Sequence, residues 1–274
     1  MISGKFADMH THSENSHDSN CKIEDMMWAQ IKKGTNIFAV TDHFDTSFYK
    51  DCDIFTPIEN THKTVEELNH KFGDRCKILA GIEIGESFWH PEIYEKIKNH
   101  LDFDVIIGSV HCVRSQLFTD PYSTFDFSKL PQSVLVEWLD KYFDDVLTML
   151  KFIDFDVLAH LTCPLRYIIG KYNQSVDITR YEKKIDKILN ETINRKIALE
   201  VNTSSIDRLN DFMPSYDMIK RYYEKGGRLI TLGSDAHTHD RASIGFDKAV
   251  ESLKEIGFDG IYYFEKRKPI KISI

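Results

Sequence analysis

The feature that most constrains this chain is an alternation of short apolar runs with stretches of helical spacing. Strand-like runs lie at residues 5–10, 36–41, 77–84, 104–110, 156–159, 197–201 and 228–232, with a weaker last run at 260–264. Apolar residues recur at helical spacing over 23–33, 92–99, 134–153, 215–225 and 246–256. In 134–153 the stripe is clearest, through Leu135, Leu139, Phe143, Val146, Leu150 and Ile153. Thr64 with Glu67, and Thr179 with Glu182, resemble capping boxes opening helices that run to about residues 72 and 194. Strands that alternate with helices imply βαβ units and a parallel sheet. Seven such units favour a closed α/β barrel over an open sheet, and 274 residues match one barrel domain spanning 1–274.

Composition narrows the function classes. A formal charge of −8 argues against a protein that mainly grips a nucleic-acid backbone. No run of apolar residues is long enough to cross a membrane, and the first residues lack a basic-then-apolar leader. The expectation is a cytoplasmic protein with no nucleic-acid or membrane partner. Cys21, Cys52, Cys76, Cys112 and Cys163 are scattered and odd in number, so they read as free thiols rather than a disulfide framework or zinc ribbon.

Nearly every expected strand is apolar until its C-terminal end, where a metal-capable residue appears. The first offers His10 and His12, which point to one side of an extended strand. Then follow Asp42 and His43, Glu83, His111, His160, Glu200, and finally Asp235 and His237. In an α/β barrel these ends share the face that carries the active site. Imidazole mixed with carboxylate, without a cysteine pair, suits zinc, manganese or iron. So many ligands exceed the needs of one ion; two or three divalent metals are expected, with Glu83 bridging. Such clusters activate water and stabilise both oxygens of a phosphoester displacement. His62, His70, His90, His100 and His239 read as ordinary surface residues.

The ordered motifs Asp-Met-His10-Thr-His12, Thr-Asp42-His43, Gly-Ile-Glu83, Gly-Ser-Val-His111, Ala-His160 and Gly-Ser-Asp235-Ala-His237 resemble the PHP (polymerase and histidinol phosphatase) superfamily. Length and the runs Ile-Gly-Ser-Val-His and Leu-Glu-Val-Asn-Thr are similar to its stand-alone L-histidinol-phosphate phosphatases. The resemblance implies a distorted (β/α)7 TIM-like barrel, a trinuclear centre, and hydrolysis of L-histidinol phosphate to L-histidinol and phosphate in histidine biosynthesis. It also implies a first metal on His10, His12, Glu83 and Asp235, and a second on Glu83, His111 and His160. A third would take His43, His237 and one more residue. Many relatives place a His six positions after the second His of the first motif; here that position is Asp18, with His17 beside it as the alternative.

The expected mechanism is in-line attack by a metal-bridging hydroxide with no phospho-enzyme. Asp42 and His43 are both placed to protonate the leaving oxygen. Arg166 and Arg241, on the same face, suit phosphate oxygens. Glu200 could meet the substrate's ammonium or support the ligands. Two alternatives stand beside this reading: a PHP phosphoesterase acting on another phosphomonoester or a nucleotide, and a metal-binding regulatory module without catalysis.

Overall fold

A computed structural model describes residues 6–51, 53–114 and 120–274. Lys5 of the expected first strand and Cys52 lie outside the described residues, as do positions 115–119. The strands are β1 (Phe6–Thr11), β2 (Thr35–Val40), β3 (His43–Asp45), β4 (Lys77–Gly85), β5 (Val105–Ser109), β6 (Val157–Leu158), β7 (Ala198–Asn202) and β8 (Ile230–Gly233). All pair in parallel in the order β1-β2-β4-β5-β6-β7-β8. β3 continues β2 along β4 in the same register, His43 opposite Glu83 as Ile37 is opposite Lys77. The result is a distorted, nearly closed seven-stranded barrel, as the resemblance implied.

The helices flanking the strands are α1 (Ile23–Lys32), α2 (Thr56–Phe72), α3 (Pro91–Lys98), α4 (Gln132–Phe152), α5 (Pro164–Ile168), α6 (Glu182–Asn194), α7 (Ile206–Leu209), α8 (Tyr216–Glu224) and α9 (Phe246–Ile256). Two helix starts differ from expectation. Thr64 lies inside α2, which begins earlier because Pro57 suits a first turn and Asp53 Oδ1 accepts from the amides of Phe55 (3.0 Å) and Thr56 (3.1 Å). Asp177, not Thr179, caps the turn before α6, accepting from the Thr179 amide at 3.2 Å.

Inside the barrel, Ala7, Met9, Ile37, Leu79, Val105, Ile107 and Val157 form an apolar core. Outward residues such as Phe38, Ile82, Ile106, Leu199 and Leu232 pack under the helices. The run expected at 260–264 does not join this sheet. It is β9 (Gly260–Glu265), which pairs antiparallel with β10 (Lys268–Ser273) in a separate hairpin. Phe264 packs into the barrel core from the end opposite the strand C-termini, with Tyr263 and Ile272 beside it. The two-residue turn Lys266–Arg267 has positive φ at both positions, the twist a tight hairpin requires. That turn is anchored: Asp104 accepts from the Lys266 amide (3.0 Å), and Arg267 Nε reaches Asp156 at 3.0 Å. Among the described residues no helix is long and apolar enough to cross a membrane. The described cysteines Cys21, Cys76, Cys112 and Cys163 are free and buried.

Arg267 is the main charge partner of the nearly buried Asp156, whose other contact is the Ile106 amide at 2.8 Å. Arg267→Ala is expected to cost about 1–2 kcal/mol in chemical denaturation while leaving metal uptake unchanged. An unshifted midpoint would show that the plug is not held by this pair.

Candidate metal centre

Why His10 and His12 face the same cluster follows from an irregularity in β1. Asp8 pairs with Phe38 and Thr11 with Val40, so Met9 and His10 together oppose the single Ala39. This bulge turns His10 onto the inner face, where strict alternation after Met9 would have pointed it outward. Asp8 stays outside the barrel and accepts from the Ser234 amide (2.9 Å) and hydroxyl (2.5 Å) and from Gln30 Nε2 (2.6 Å). It thereby holds the β8 end against β1. Closure is completed by Asp235 N to His10 O (2.8 Å) and His12 N to Ala236 O (3.0 Å).

Glu83 is fully buried at the centre. Its Oε1 lies 2.9 Å from His160 Nε2 and 3.3 Å from His111 Nε2. On the other side, Oε2 lies 3.0 Å from His10 Nε2, 2.9 Å from His43 Nδ1 and 3.6 Å from His12 Nε2. Asp235 Oδ1 stands 3.3 Å from His12 Nε2. Asp18 Oδ2 lies 3.1 Å from His237 Nε2 and 3.5 Å from His43 Nε2. His17 stands at the rim, its ring 5.3 Å from that of His43. Among the described residues, four sets of donor atoms converge closely enough to hold an ion: His10/Glu83/His160, His10/His12/Asp235, His43/Glu83/His111 and His12/His43/His237.

Two observations fit these residues to divalent metals. Among the described residues, buried His12 Nε2 and His43 Nδ1 have no partner of hydrogen-bond geometry, although carboxylates stand beside them. The charges are also balanced for cations. Burial alone would push Glu83 up, but His10, His43 and His111 hold its carboxyl well below the usual range. Burial works against His43, yet Glu83 and Asp18 hold it at about 10. His12 goes the other way, pushed well down by burial and then by the charges of His237 and His43.

Around this layer sits another that sequence reading largely missed. Asp45 Oδ1 meets His111 Nδ1 at 2.9 Å, and Ser16 Oγ meets His12 Nδ1 at 3.2 Å and accepts from the His43 amide at 2.9 Å. Such partners orient ligand imidazoles. The signal for Asp45 was its place two residues after His43, on the same face of β3. Asp42 does not reach the cluster. Its carboxylate accepts from the Ser13 amide (2.6 Å) and the hydroxyls of Ser13 (2.8 Å) and Thr61 (2.6 Å), pinning the loop that carries Asp18. Glu200 is buried, with Oε1 2.7 Å from His10 Nδ1. Arg166 reaches Ser204 Oγ (2.8 Å), Tyr167 Oη (2.9 Å) and Asp235 Oδ2 (3.3 Å). Arg241 is paired with Asp207 and donates to Ser204 O at 3.0 Å. His62, His90 and His100 bond elsewhere, to Ile58 O (3.0 Å), Glu92 (3.3 Å) and Glu59 (2.7 Å).

The cluster opens into a cavity of about 750 Å³ lined by His43, His111, His160, Arg166, Asp18 and Asp235 on the polar side and Phe44, Phe48, Ile54 and Tyr122 on the apolar side. A second chamber, of about 480 Å³, adjoins it past Arg166, with Arg208 and Arg241 on its walls.

A parallel barrel whose strand ends converge on histidines and carboxylates is an α/β-barrel metal centre. The PHP domain model matches residues 8–204, and the chain belongs to the PHP domain family. It is 28% identical over 264 residues to a probable histidinol-phosphatase of Clostridium acetobutylicum, covering 95% of this chain and 97% of that one. It is 26% identical to a histidinol-phosphatase of Lactococcus lactis subsp. lactis, covering 96% of each. A crystal structure of histidinol phosphate phosphatase from that organism, complexed with zinc, L-histidinol and phosphate, shares the fold, with a TM-score of 0.78 at 24% identity over 98% of this chain and all of the other.

Metal uptake must displace protons from these imidazoles. Because Glu83 and Asp18 keep His43 protonated up to about pH 10 in the metal-free protein, loading at pH 8 is expected to release protons and to tighten as pH rises. Calorimetric titration with zinc in two buffers of different ionisation enthalpy checks this; equal heats in both would contradict it.

Proposed function

We propose that the protein is a metal-dependent phosphomonoesterase that hydrolyses L-histidinol phosphate to L-histidinol and phosphate. The observation that carries the reading is the Glu83 carboxylate, shared by imidazoles on both sides at the floor of an open cavity. Near full-length similarity to histidinol-phosphatases supports the substrate.

The ligand set we assign is His10, His12, Asp18, His43, Glu83, His111, His160, Asp235 and His237, holding two or three ions of zinc, manganese or iron. Asp18 is preferred to His17 because it stands between His43 and His237. Metals held there would supply Lewis-acid charge against the phosphoryl oxygens and lower the pKa of the attacking water. A water oxygen bonds to phosphorus as the ester bond to histidinol breaks, and the departing oxygen takes a proton. Of Asp42 and His43, only His43 lines the cavity; a histidine that holds metal has no proton to give, so we keep it in the ligand set and assign the departing oxygen's proton to water. The guanidinium of Arg166, held by Ser204, Tyr167 and Asp235, is placed to receive a phosphate oxygen. Arg241 stands farther out, and Glu200 acts on His10 rather than on the substrate. Buried unpaired thiols suit a cytoplasmic enzyme.

Phosphate release from L-histidinol phosphate, measured beside other phosphomonoesters and short oligonucleotides, tests the assignment. Preference for L-histidinol phosphate is expected; preference for a nucleotide, or no release by metal-loaded protein, would contradict it. Arg166→Ala is expected to raise KM roughly tenfold or more with metal content unchanged, the loss of one charge-assisted contact. An unaltered KM would remove Arg166 from the phosphate site.

A further inference from the structure

The ligands of the cluster are not all held in the same way. Glu83 lies within β4 and His10 within β1, and His43 opens β3, so the sheet itself fixes their backbones. His111 and His160 each stand two residues beyond the end of their strand, past Ser109 and Leu158. Yet both must bring Nε2 to the same oxygen, Glu83 Oε1.

Each of these two main chains meets a buried carboxylate from a neighbouring strand end. Glu86, just past β4, accepts with Oε1 from the amide of His111 and from that of Cys112 (2.7 Å). Its Oε2 accepts from Ser47 Oγ at 3.1 Å, and its carbonyl from Thr46 Oγ1 at 2.6 Å. Glu200, on β7, accepts with Oε2 from the His160 amide at 2.6 Å. Both glutamates are buried, Glu86 fully. Glu86 takes a left-handed conformation, φ 46°, to turn back beneath the loop. Space is also reserved beside each clip. A Cβ on Gly85 would lie 2.0 Å from Asp45 Oδ1, the atom that holds the His111 ring, and one on Gly233 would lie 2.0 Å from Glu200 Oε1.

We infer that Glu86 and Glu200 are positioning residues: carboxylate clips that fix His111 and His160 where they stand beyond their strands, and so build the Oε1 side of the metal centre. This rests on the metal-centre reading above. A buried carboxylate facing peptide N–H groups replaces the strand pairing those amides lack. The Oε2 side, with His10, His12, His43 and Asp235, draws on strand backbone and on barrel closure. Glu200 also touches His10, so it acts on both sides; Glu86 acts on one and is the cleaner probe.

The test is zinc titration of the full metal-free chain against a competing chelator, followed by metal counting. Glu86→Ala is expected to weaken the His111/His160 site by about 10–100-fold, the usual effect of removing a group that orients a ligand, while the remaining zinc binds as in the wild type. Glu86→Gln keeps an acceptor oxygen for the two amides and is expected to restore wild-type binding. Uniform weakening of every zinc, or none, overturns the inference. Should Glu86→Ala fail to fold, amide hydrogen exchange on the wild-type chain decides: the amides of His111, Cys112 and His160 are expected to be protected without metal, and rapid exchange overturns the proposal. A wild-type chain that takes up no zinc overturns the metal-centre reading and this inference with it.

Discussion

The interaction on which the structure depends is the burial of one carboxylate, that of Glu83, among five imidazoles. An ionised carboxylate removed from water is costly unless charge and hydrogen bonds answer it. Here the answer comes from His10 and His12 at the end of β1, His43 at the start of β3, and His111 and His160 just beyond β5 and β6. A divalent cation would displace protons from these imidazoles and answer the carboxylate's charge in their place. That imidazoles meet this carboxylate on both sides is the observation from which the proposed function follows.

The barrel makes this possible by separating two jobs along its axis. At one end the β9–β10 hairpin fills the interior with Phe264 and locks on through Arg267 and Asp104, where only stability is at stake. At the other end, closure between β1 and β8 runs through the site residues themselves: His10 O, His12 N, Asp235 N, and Asp8 gripping Ser234. The bulge at Met9–His10 belongs to the same device. It breaks the alternation of β1 so that Met9 and His10 both face inward. Sheet irregularity and the placing of His10 beside Glu83 are thus one feature.

Much of this was legible in the sequence because the barrel rule converts strand ends into neighbours. The runs ending in Glu83, His111 and His160 needed only hydrophobic periodicity to be placed. The rest depended on directions and partners that a sequence does not carry. The run at 260–264 looks like another barrel strand, and only its antiparallel partner reveals a plug. Thr64 had the pattern of a cap, but Asp53 and Pro57 started the helix earlier. Asp42 and His43 are adjacent and chemically plausible alike; alternation sends His43 to the cavity and Asp42 to Ser13 and Thr61. Glu86, Asp45 and Ser16 touch the histidines of the cluster, and their type alone did not set them apart from solvated loop residues.

Counting metal in the wild-type chain and in Glu83→Gln tests the central claim most directly. The amide keeps size and burial but loses the charge that two sides of the cluster share. The account predicts that the variant folds yet loses metal from both sides of position 83. A variant that keeps its full complement of metal would show that the centre is not organised around Glu83.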